Sequence, residues 1–529
     1  MRFLVYAAVL ALTALAAADQ LPWIDRGWAL AVLLPFVALG TWNLLQSSHS
    51  LLRNYPLVGH VRWLFEEARP YLRQYVVESN LDGRPFSREQ RSVVYQRAKD
   101  LEGVRPFGTE TDVYGSEYEW IEHSMAALPH DHQPLRVTIG GDQCARPYDA
   151  SVLDISAMSF GSLGARAIEA LNLGAKLGGF AHDTGEGGIS RYHRIHGGDI
   201  IWEIGSGYFG CRDERGRFDP ARFADQAADD QIKMVEVKLS QGAKPGHGGM
   251  LPGPKVTAEI AEARGVPAGQ DCVSPPFHSA FSTPIEMIQF LGRLRELAGG
   301  KPVGFKLCIG QRWEFLALCK AMLETGIRPD FVVVDGAEGG TGAAPAEFSD
   351  HVGAPLRDGL VFVRNALVGT GLRDHIRIGA SGKIVTGFGM AANMAMGADW
   401  CNSARGFMFA LGCVQSLRCH TNTCPTGVAT QDPGRQRALV VADKAPRVAR
   451  FHRNTVEALA SVVAAAGLAH PRELRPHHVW HRLSAIEARP ADRVYRFLAP
   501  RQYLDDPDST EHAAAWRMAD ANSFRPRTS

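Results

Sequence analysis

The strongest constraint on what this chain can fold into is a regular alternation of short apolar runs with amphipathic segments. Eight runs have strand length and composition: Val152–Ser156, Phe180–Asp183, Ile201–Ile204, Met234–Leu239, Pro302–Cys308, Asp330–Val334, Ile376–Ala380 and Asp399–Asn402. Between several of them lie segments with helical period, among them Ala165–Leu177, Pro284–Leu297, Trp313–Thr325 and Gly387–Met396. Strands that alternate with helices form βαβ units and a parallel sheet. Eight such units predict a (β/α)8 TIM barrel, whose active site must lie at the C-terminal ends of the strands. An open doubly wound sheet is the competing topology. It is disfavoured by the lack of a dinucleotide-binding glycine fingerprint after a strand.

Glycine clusters fall where a barrel needs them. They occur after the first strand (Ser156–Ser162), the second (Thr184–Gly188) and the sixth (Asp335–Gly342, including Gly339, Gly340 and Thr341). The seventh strand runs into Ser381 and Gly382, and the eighth ends in Asn402, Ser403, Ala404 and Arg405. With 54 glycines in 529 residues, the chain is richer in glycine than the average of about 7%. Such loops let backbone N–H groups approach an oxyanion, and the last two are the usual phosphate site of a barrel. They predict a phosphate-bearing cofactor. A balance of 57 basic against 56 acidic side chains gives no basic excess, which argues against a nucleic-acid partner.

Cys413, Cys419 and Cys424 follow the spacing C-x5-C-x4-C in a loop that ends Cys-Pro-Thr-Gly. Thiolates this close together can converge on one soft metal centre, and a Cys-Pro ending occurs in iron–sulfur loops. Zinc would require a fourth ligand, which His420 could supply. Three thiolates alone suit a cuboidal cluster lacking one iron. The other six cysteines sit beside apolar residues and read as core side chains; nine in all, scattered along such a long chain, do not make a disulfide framework.

The amino-terminal region reads as a transmembrane hairpin in residues 1–48. Phe3–Ala18 and Trp28–Leu45 are uncharged apolar runs of sixteen and eighteen residues, close to the roughly 17–25 residues needed to span a bilayer. The small residues Ala16-Ala17-Ala18 also give the first run a signal-peptide character. Arg53, Arg62, Arg69 and Arg73 follow the second run, so the positive-inside rule places the barrel on the cytoplasmic side. Residues 49–150 read as a juxtamembrane arm and entry to the barrel, 151–440 as the barrel with its cysteine loop, and 441–529 as a helical C-terminal extension.

From about Asp154 to Leu439 the sequence resembles the FMN-binding domain of glutamate synthase. The likeness rests on Ser156–Ser162, Thr184–Gly188, Gln241–Gly246, Ser274-Pro275-Pro276, Gly339–Ala343 and Cys413–Asp432. It implies a (β/α)8 barrel carrying FMN, a 3Fe–4S cluster on Cys413, Cys419 and Cys424, and reduction of 2-iminoglutarate to L-glutamate. By motif, Met158 and Ser159 would line the flavin, and Lys306 would face its pyrimidine edge. Gly339, Gly340, Thr341, Ser381, Gly382, Asn402, Ser403, Ala404 and Arg405 would complete the cofactor site. Lys244 and Arg264 would hold the two carboxylates of 2-oxoglutarate, with Lys244 and Glu186 as the catalytic pair and Glu186 as a proton-transfer group. Two positions depart from the family pattern: His247 stands where a glutamate is expected, and Met250 where a glutamine is expected in the substrate pocket.

No amidotransferase domain is read in this sequence, so the resemblance implies ammonia from solution or from a separate amidotransferase subunit. Electrons would come from a donor protein or a membrane carrier, and membrane lipid would be met through the hairpin. Two functions of different class follow. One is a membrane-anchored FMN and iron–sulfur oxidoreductase acting on a 2-oxo acid imine. The other is an electron-transfer or assembly subunit without substrate chemistry of its own. Lys244, Arg264 and Glu186 favour the first, and Met250 favours the second.

Overall fold

The computed structural model of the protein describes residues 3–101, 103–129 and 133–527. The chain forms two compact units, Met1–Arg88 and Glu89–Ser529.

The larger unit contains a closed barrel of eight parallel strands. They are β1 (Leu153–Ile155), β2 (His182–Asp183), β3 (Ile200–Ile204), β4 (Ile232–Lys238), β5 (Val303–Leu307), β6 (Phe331–Asp335), β7 (Arg377–Ser381) and β8 (Trp400–Ser403). Every expected strand is present, with its ends shifted by a few residues. Closure is made by β8 on β1, where Cys401, Asn402 and Ser403 pair with Leu153, Asp154 and Ile155. That pairing excludes the open sheet. The strands form because short, β-branched-rich runs are buried on both faces, as parallel strands must be. Local signals start the helices between them: Thr283 and Glu286 form a reciprocal capping box at the head of Pro284–Leu297, which satisfies two otherwise orphaned N–H groups.

An antiparallel hairpin that the sequence reading did not anticipate, Arg136–Ile139 with Tyr148–Ser151, precedes β1. Its Ile139, Tyr148 and Ala150 join Ala181, Ile201, Met234, Phe331, Val333 and Trp400 in one buried cluster. The hairpin therefore plugs the N-terminal end of the barrel and leaves the C-terminal end as the working face.

The C-terminal extension is helical only in part. A long helix, Val441–Ala465, packs on the barrel helix Ala165–Gly178 at Gly174, where a Cβ would come within 2.5 Å of Val448. His452 in that long helix hydrogen-bonds Ser151 at 2.8 Å and stacks on Phe180. Beyond it, Val479–Arg482 pairs with Glu119–Ile121 on one side and Ala488–Pro490 on the other. Strands of three or four residues carry too little periodicity to be distinguished from loop, which is why these residues were expected to be helical.

In the smaller unit the first apolar run forms the helix Leu4–Ala17, 14 residues long, which ends before Asp19 at φ 58°. The second forms Arg26–Leu45, the one helix among the described residues long and apolar enough to cross a membrane. Asp25 caps it by accepting from the Trp28 N–H at 3.0 Å. The two helices touch where Tyr6 hydrogen-bonds Thr41 at 2.6 Å. Gly40 leaves room there for the Tyr6 ring. The expected arm contributes Ser50–Asn54 and Gly59–Leu72 with a π-turn at Arg73–Val77 to this unit, and its next helix, Arg88–Lys99, belongs to the larger unit from Glu89 on.

Candidate active site

The loops that follow β1 and β2 lie against each other at the C-terminal mouth. Gly185 makes this possible: at φ 64°, a Cβ there would be 2.6 Å from the Ser159 N, a position only glycine tolerates. The same contact places Met158 and Ser159 beside the turn that carries Glu186. Glu186 meets Lys238, at the end of β4, at 2.9 Å. Gly205 and Gly249 pack closely on its carboxylate, where a Cβ at either position would come to 2.7 Å.

Three cations surround this one acid. Burial alone would raise the Glu186 carboxyl, but Lys238, Arg264 and Lys244 hold it below the usual range. Three cations therefore favour the anionic form of Glu186, which in turn orients them. Lys244 is buried, and burial lowers its ammonium, opposed by Glu186. A lysine depressed in this way gives up its proton more readily than a free one.

Arg264 closes the helix Ala258–Arg264 and is 5% exposed. One terminal nitrogen donates to the Phe160 carbonyl at 3.1 Å, and the guanidinium lies over the Phe209 ring. Its Nε is buried without a hydrogen-bond partner. An orphaned charged donor is expensive, and a carboxylate is the ligand that satisfies it. His247 and Met250 lie on the same segment but, unlike this buried group, are exposed. His247 is exposed with its ring edge-on to Phe348, and Met250 is 57% exposed on a two-residue strand paired with Val273.

Beneath the mouth the barrel interior holds charges from four strands. Asp183, Glu203 and Glu236 bring carboxylate oxygens within 4.8 Å of one another. Lys306 pairs with Glu203 and with Glu236 at 3.2 Å. Burial alone would lower the Lys306 ammonium, but these carboxylates raise it well above its usual value. Burial pushes Asp183 up to about 7, reinforced by Glu203 and opposed by Lys306. Lys306 is thus engaged with acids inside the barrel.

Residues from the other half of the mouth converge through Arg405. It donates to the Thr341 carbonyl at 2.9 Å and lies against Gly340, where a Cβ would come within 3.0 Å. Gly336 N–H donates to Ser381 at 2.8 Å, and Ser381 meets Ser156 at 3.3 Å. Asn402 accepts from Trp400 at 2.9 Å, and Ser403 donates to Ile384 at 2.6 Å. The loops after β6, β7 and β8 therefore share one region, with a guanidinium and glycine backbone facing it. This chemistry fits a flavin phosphate.

Arg405 also reaches Cys419, its second terminal nitrogen lying 4.0 Å from the sulfur. The three cysteines of the loop are free thiols that feel one another's charge. Burial would raise the Cys424 thiol, but a hydrogen bond from Thr426 and the N–H groups of Thr426, Val428 and Ala429 bring it below its usual value. Among the described residues, only the Asp183–Glu203–Glu236 group gathers three donors within 4.8 Å. At least one pair of these three sulfurs is therefore more than 4.8 Å apart, against about 3.8 Å for two thiolates on one tetrahedral zinc. In a cuboidal cluster each thiolate binds a different iron, so the wider spacing and the neighbouring cations fit such a cluster better than zinc with His420.

Lys238 and the interior acids belong to no motif in the sequence. A charged residue inside an otherwise apolar strand, as at Glu203 and Glu236, is the signal that could have found the acids.

Fold and site together define a (β/α)8-barrel enzyme whose C-terminal mouth is built around buried cations. Residues 122–469 match the family model described as the conserved region in glutamate synthase. The chain is 39% identical over 477 residues to the glutamate synthase large subunit-like protein YerD of Bacillus subtilis, covering 83% of this chain and 90% of that protein. It is 36% identical to the archaeal glutamate synthase (NADPH) of Methanocaldococcus jannaschii, over 68% of this chain and 66% of that protein. Among solved structures, a flavocytochrome b2 variant with pyruvate bound aligns distantly, at TM-score 0.40 and 12% identity over 84% of this chain and 91% of that one. The chain belongs to the glutamate synthase family. It is accordingly a glutamate synthase-like oxidoreductase acting on the CH–NH2 group of donors.

Proposed function

We propose that this protein reduces a dicarboxylic 2-oxo acid imine, 2-iminoglutarate formed from 2-oxoglutarate and ammonia, to the amino acid. The observation that carries this reading is the orphaned, buried Arg264 Nε beside Lys244 and Glu186. An electron-transfer subunit has no use for a buried carboxylate-binding group. The loops carrying Met158, Ser159, Gly339, Gly340, Thr341, Ser381, Gly382 and Asn402–Arg405 would hold FMN at the mouth, where it would supply hydride chemistry toward an imine carbon. A 3Fe–4S cluster on Cys413, Cys419 and Cys424 would deliver single electrons from a donor protein or membrane carrier.

The chain's own residues do the rest. Arg264 and Lys244 bind the substrate carboxylates, and Glu186 with Lys238 fixes Lys244 in place. Lys244 holds at its Nζ the proton that the imine nitrogen gains as the hydride reaches carbon. The exposed His247 and Met250 form a rim that touches only the outer part of the substrate, so their departure from the family pattern alters selectivity more than chemistry.

Replacing Arg264 by Ala should weaken 2-oxoglutarate binding about ten- to hundredfold, the effect of losing one charge-assisted hydrogen bond. Arg264→Lys should fall in between, because it keeps the charge without the planar fork. Titration of the oxidised flavin by absorbance reads the affinity. Equal affinity in all three proteins would reject the pocket.

The Arg26–Leu45 helix is 17% buried over its apolar window, whereas a core helix would be mostly covered. Trp23, Trp28 and Trp42 are all more than two-thirds exposed, as interfacial anchors are. We read Leu4–Ala17 and Arg26–Leu45 as a membrane hairpin, with the barrel on the cytoplasmic side. Full-length protein should float with liposomes and a variant lacking residues 1–48 should not; equal flotation of the two would refute the anchor.

A further inference from the structure

Lys255 occupies the short 3-10 turn Gly253–Lys255, between the strand carrying Met250 and the helix ending in Arg264. It is 4% exposed, and its Nζ donates to the Cys419 carbonyl at 3.2 Å. Burial lowers its ammonium, opposed by the charges of Cys419 and Cys424. Among the described residues no carboxylate pairs with it. Lys306, by contrast, has Glu203 and Glu236, and Lys238 has Glu186. A buried ammonium without an acid is costly unless another anion lies beside it. The anions available here are the thiolates of the cysteine loop. Arg405, with a nitrogen 4.0 Å from the Cys419 sulfur, is a second cation at the same loop.

We propose that Lys255 is the counter-charge of the iron–sulfur centre: a positioning residue that sets its reduction potential without touching substrate. This rests on the reading that Cys413, Cys419 and Cys424 hold a three-iron cluster. With three thiolates the oxidised cluster is already anionic, and reduction adds one electron with no bond formed or broken. A fixed buried cation stabilises the more negative state and so raises the potential. Cations placed this way keep the cluster reducible by a donor of modest strength. The segment from Lys244 to Arg264 then serves both ends of the electron path, with two cations for substrate carboxylates and one for the cluster.

The test uses full-length holoprotein with Lys255→Met and Lys255→Arg. Iron, sulfide and FMN contents are measured first, followed by a redox titration of the cluster monitored by electron paramagnetic resonance. Wild type without iron would refute the cluster assignment itself, independently of Lys255. With iron present, Lys255→Met should shift the reduction equilibrium about tenfold toward the oxidised form, about 59 mV for one electron, and Lys255→Arg should restore most of that shift. Loss of iron in Lys255→Met but not in Lys255→Arg would also support the role of charge. A Lys255→Met potential equal to wild type would overturn the proposal. So would equal shifts in both variants, or loss of iron from both with FMN retained.

Discussion

Replacing Lys306 by Met should cost about 3–5 kcal/mol of folding stability, because removing one partner of a buried ion pair leaves uncompensated charge. Lys306 is 3% exposed, and Glu203, Glu236 and Asp183 are each 1% exposed. Water therefore cannot replace the lost ammonium. The loss should grow with pH. Asp183 has a folded-state value of about 7 against an ordinary 3.8, so between those values the native state holds a proton that the unfolded chain has released. Stability from this group is therefore lost as pH rises through that window. Without Lys306 the remaining carboxyls repel one another more strongly and the window extends upward. Urea denaturation at pH 6 and pH 8 checks this, with the larger deficit expected at pH 8. Adding Glu203→Gln to Lys306→Met should recover part of the loss. Equal stability of Lys306→Met and wild type at both pH values would show that the interior charges are not coupled as described.

Cys419→Ser should abolish iron binding while leaving FMN in place. Two thiolates do not hold a cuboidal cluster, and Ser is a poor ligand for soft iron. The flavin loops do not depend on the Cys419 sulfur: Arg405 keeps its hydrogen bond to Thr341, and the Cys424 thiolate keeps its own backbone N–H donors. Iron and sulfide analysis with the flavin absorbance reads both cofactors in one preparation. Unchanged iron would reject the ligand set, and joint loss of iron and FMN would mean that the cysteine loop supports the flavin site.

The parts legible in the sequence were those with local physical signatures. A parallel strand buried on both faces must be a short apolar run, so all eight barrel strands could be located before closure was known. The cysteine loop and the glycine turns after β1, β2 and β6 are likewise local patterns. What stayed hidden depends on contacts distant in sequence. The hairpin Arg136–Ile139 with Tyr148–Ser151 is too short to announce itself, and it matters only because the barrel end needs a plug. The interior group exists because β2, β3, β4 and β5 lie side by side and bring Asp183, Glu203, Glu236 and Lys306 together; a charge in an apolar strand hints at single acids but not at their meeting. Lys255 was invisible because its partner, Cys419, lies 164 positions away. The surroundings of Glu186 were also hidden: only the structure shows Lys238 at 2.9 Å and the charges of Arg264 and Lys244 acting on it.

The central claim is that this mouth reduces a 2-oxo acid imine, and single-turnover oxidation of the flavin tests it most directly. Full-length protein is photoreduced under anaerobic conditions and mixed with 2-oxoglutarate and ammonium. The account predicts that the flavin reoxidises and that L-glutamate appears in proportion to it, with neither occurring when either substrate is omitted, and with both slowed about ten- to hundredfold in Arg264→Ala at subsaturating 2-oxoglutarate. A flavin that stays reduced with both substrates present, or that reoxidises without forming an amino acid, would contradict it.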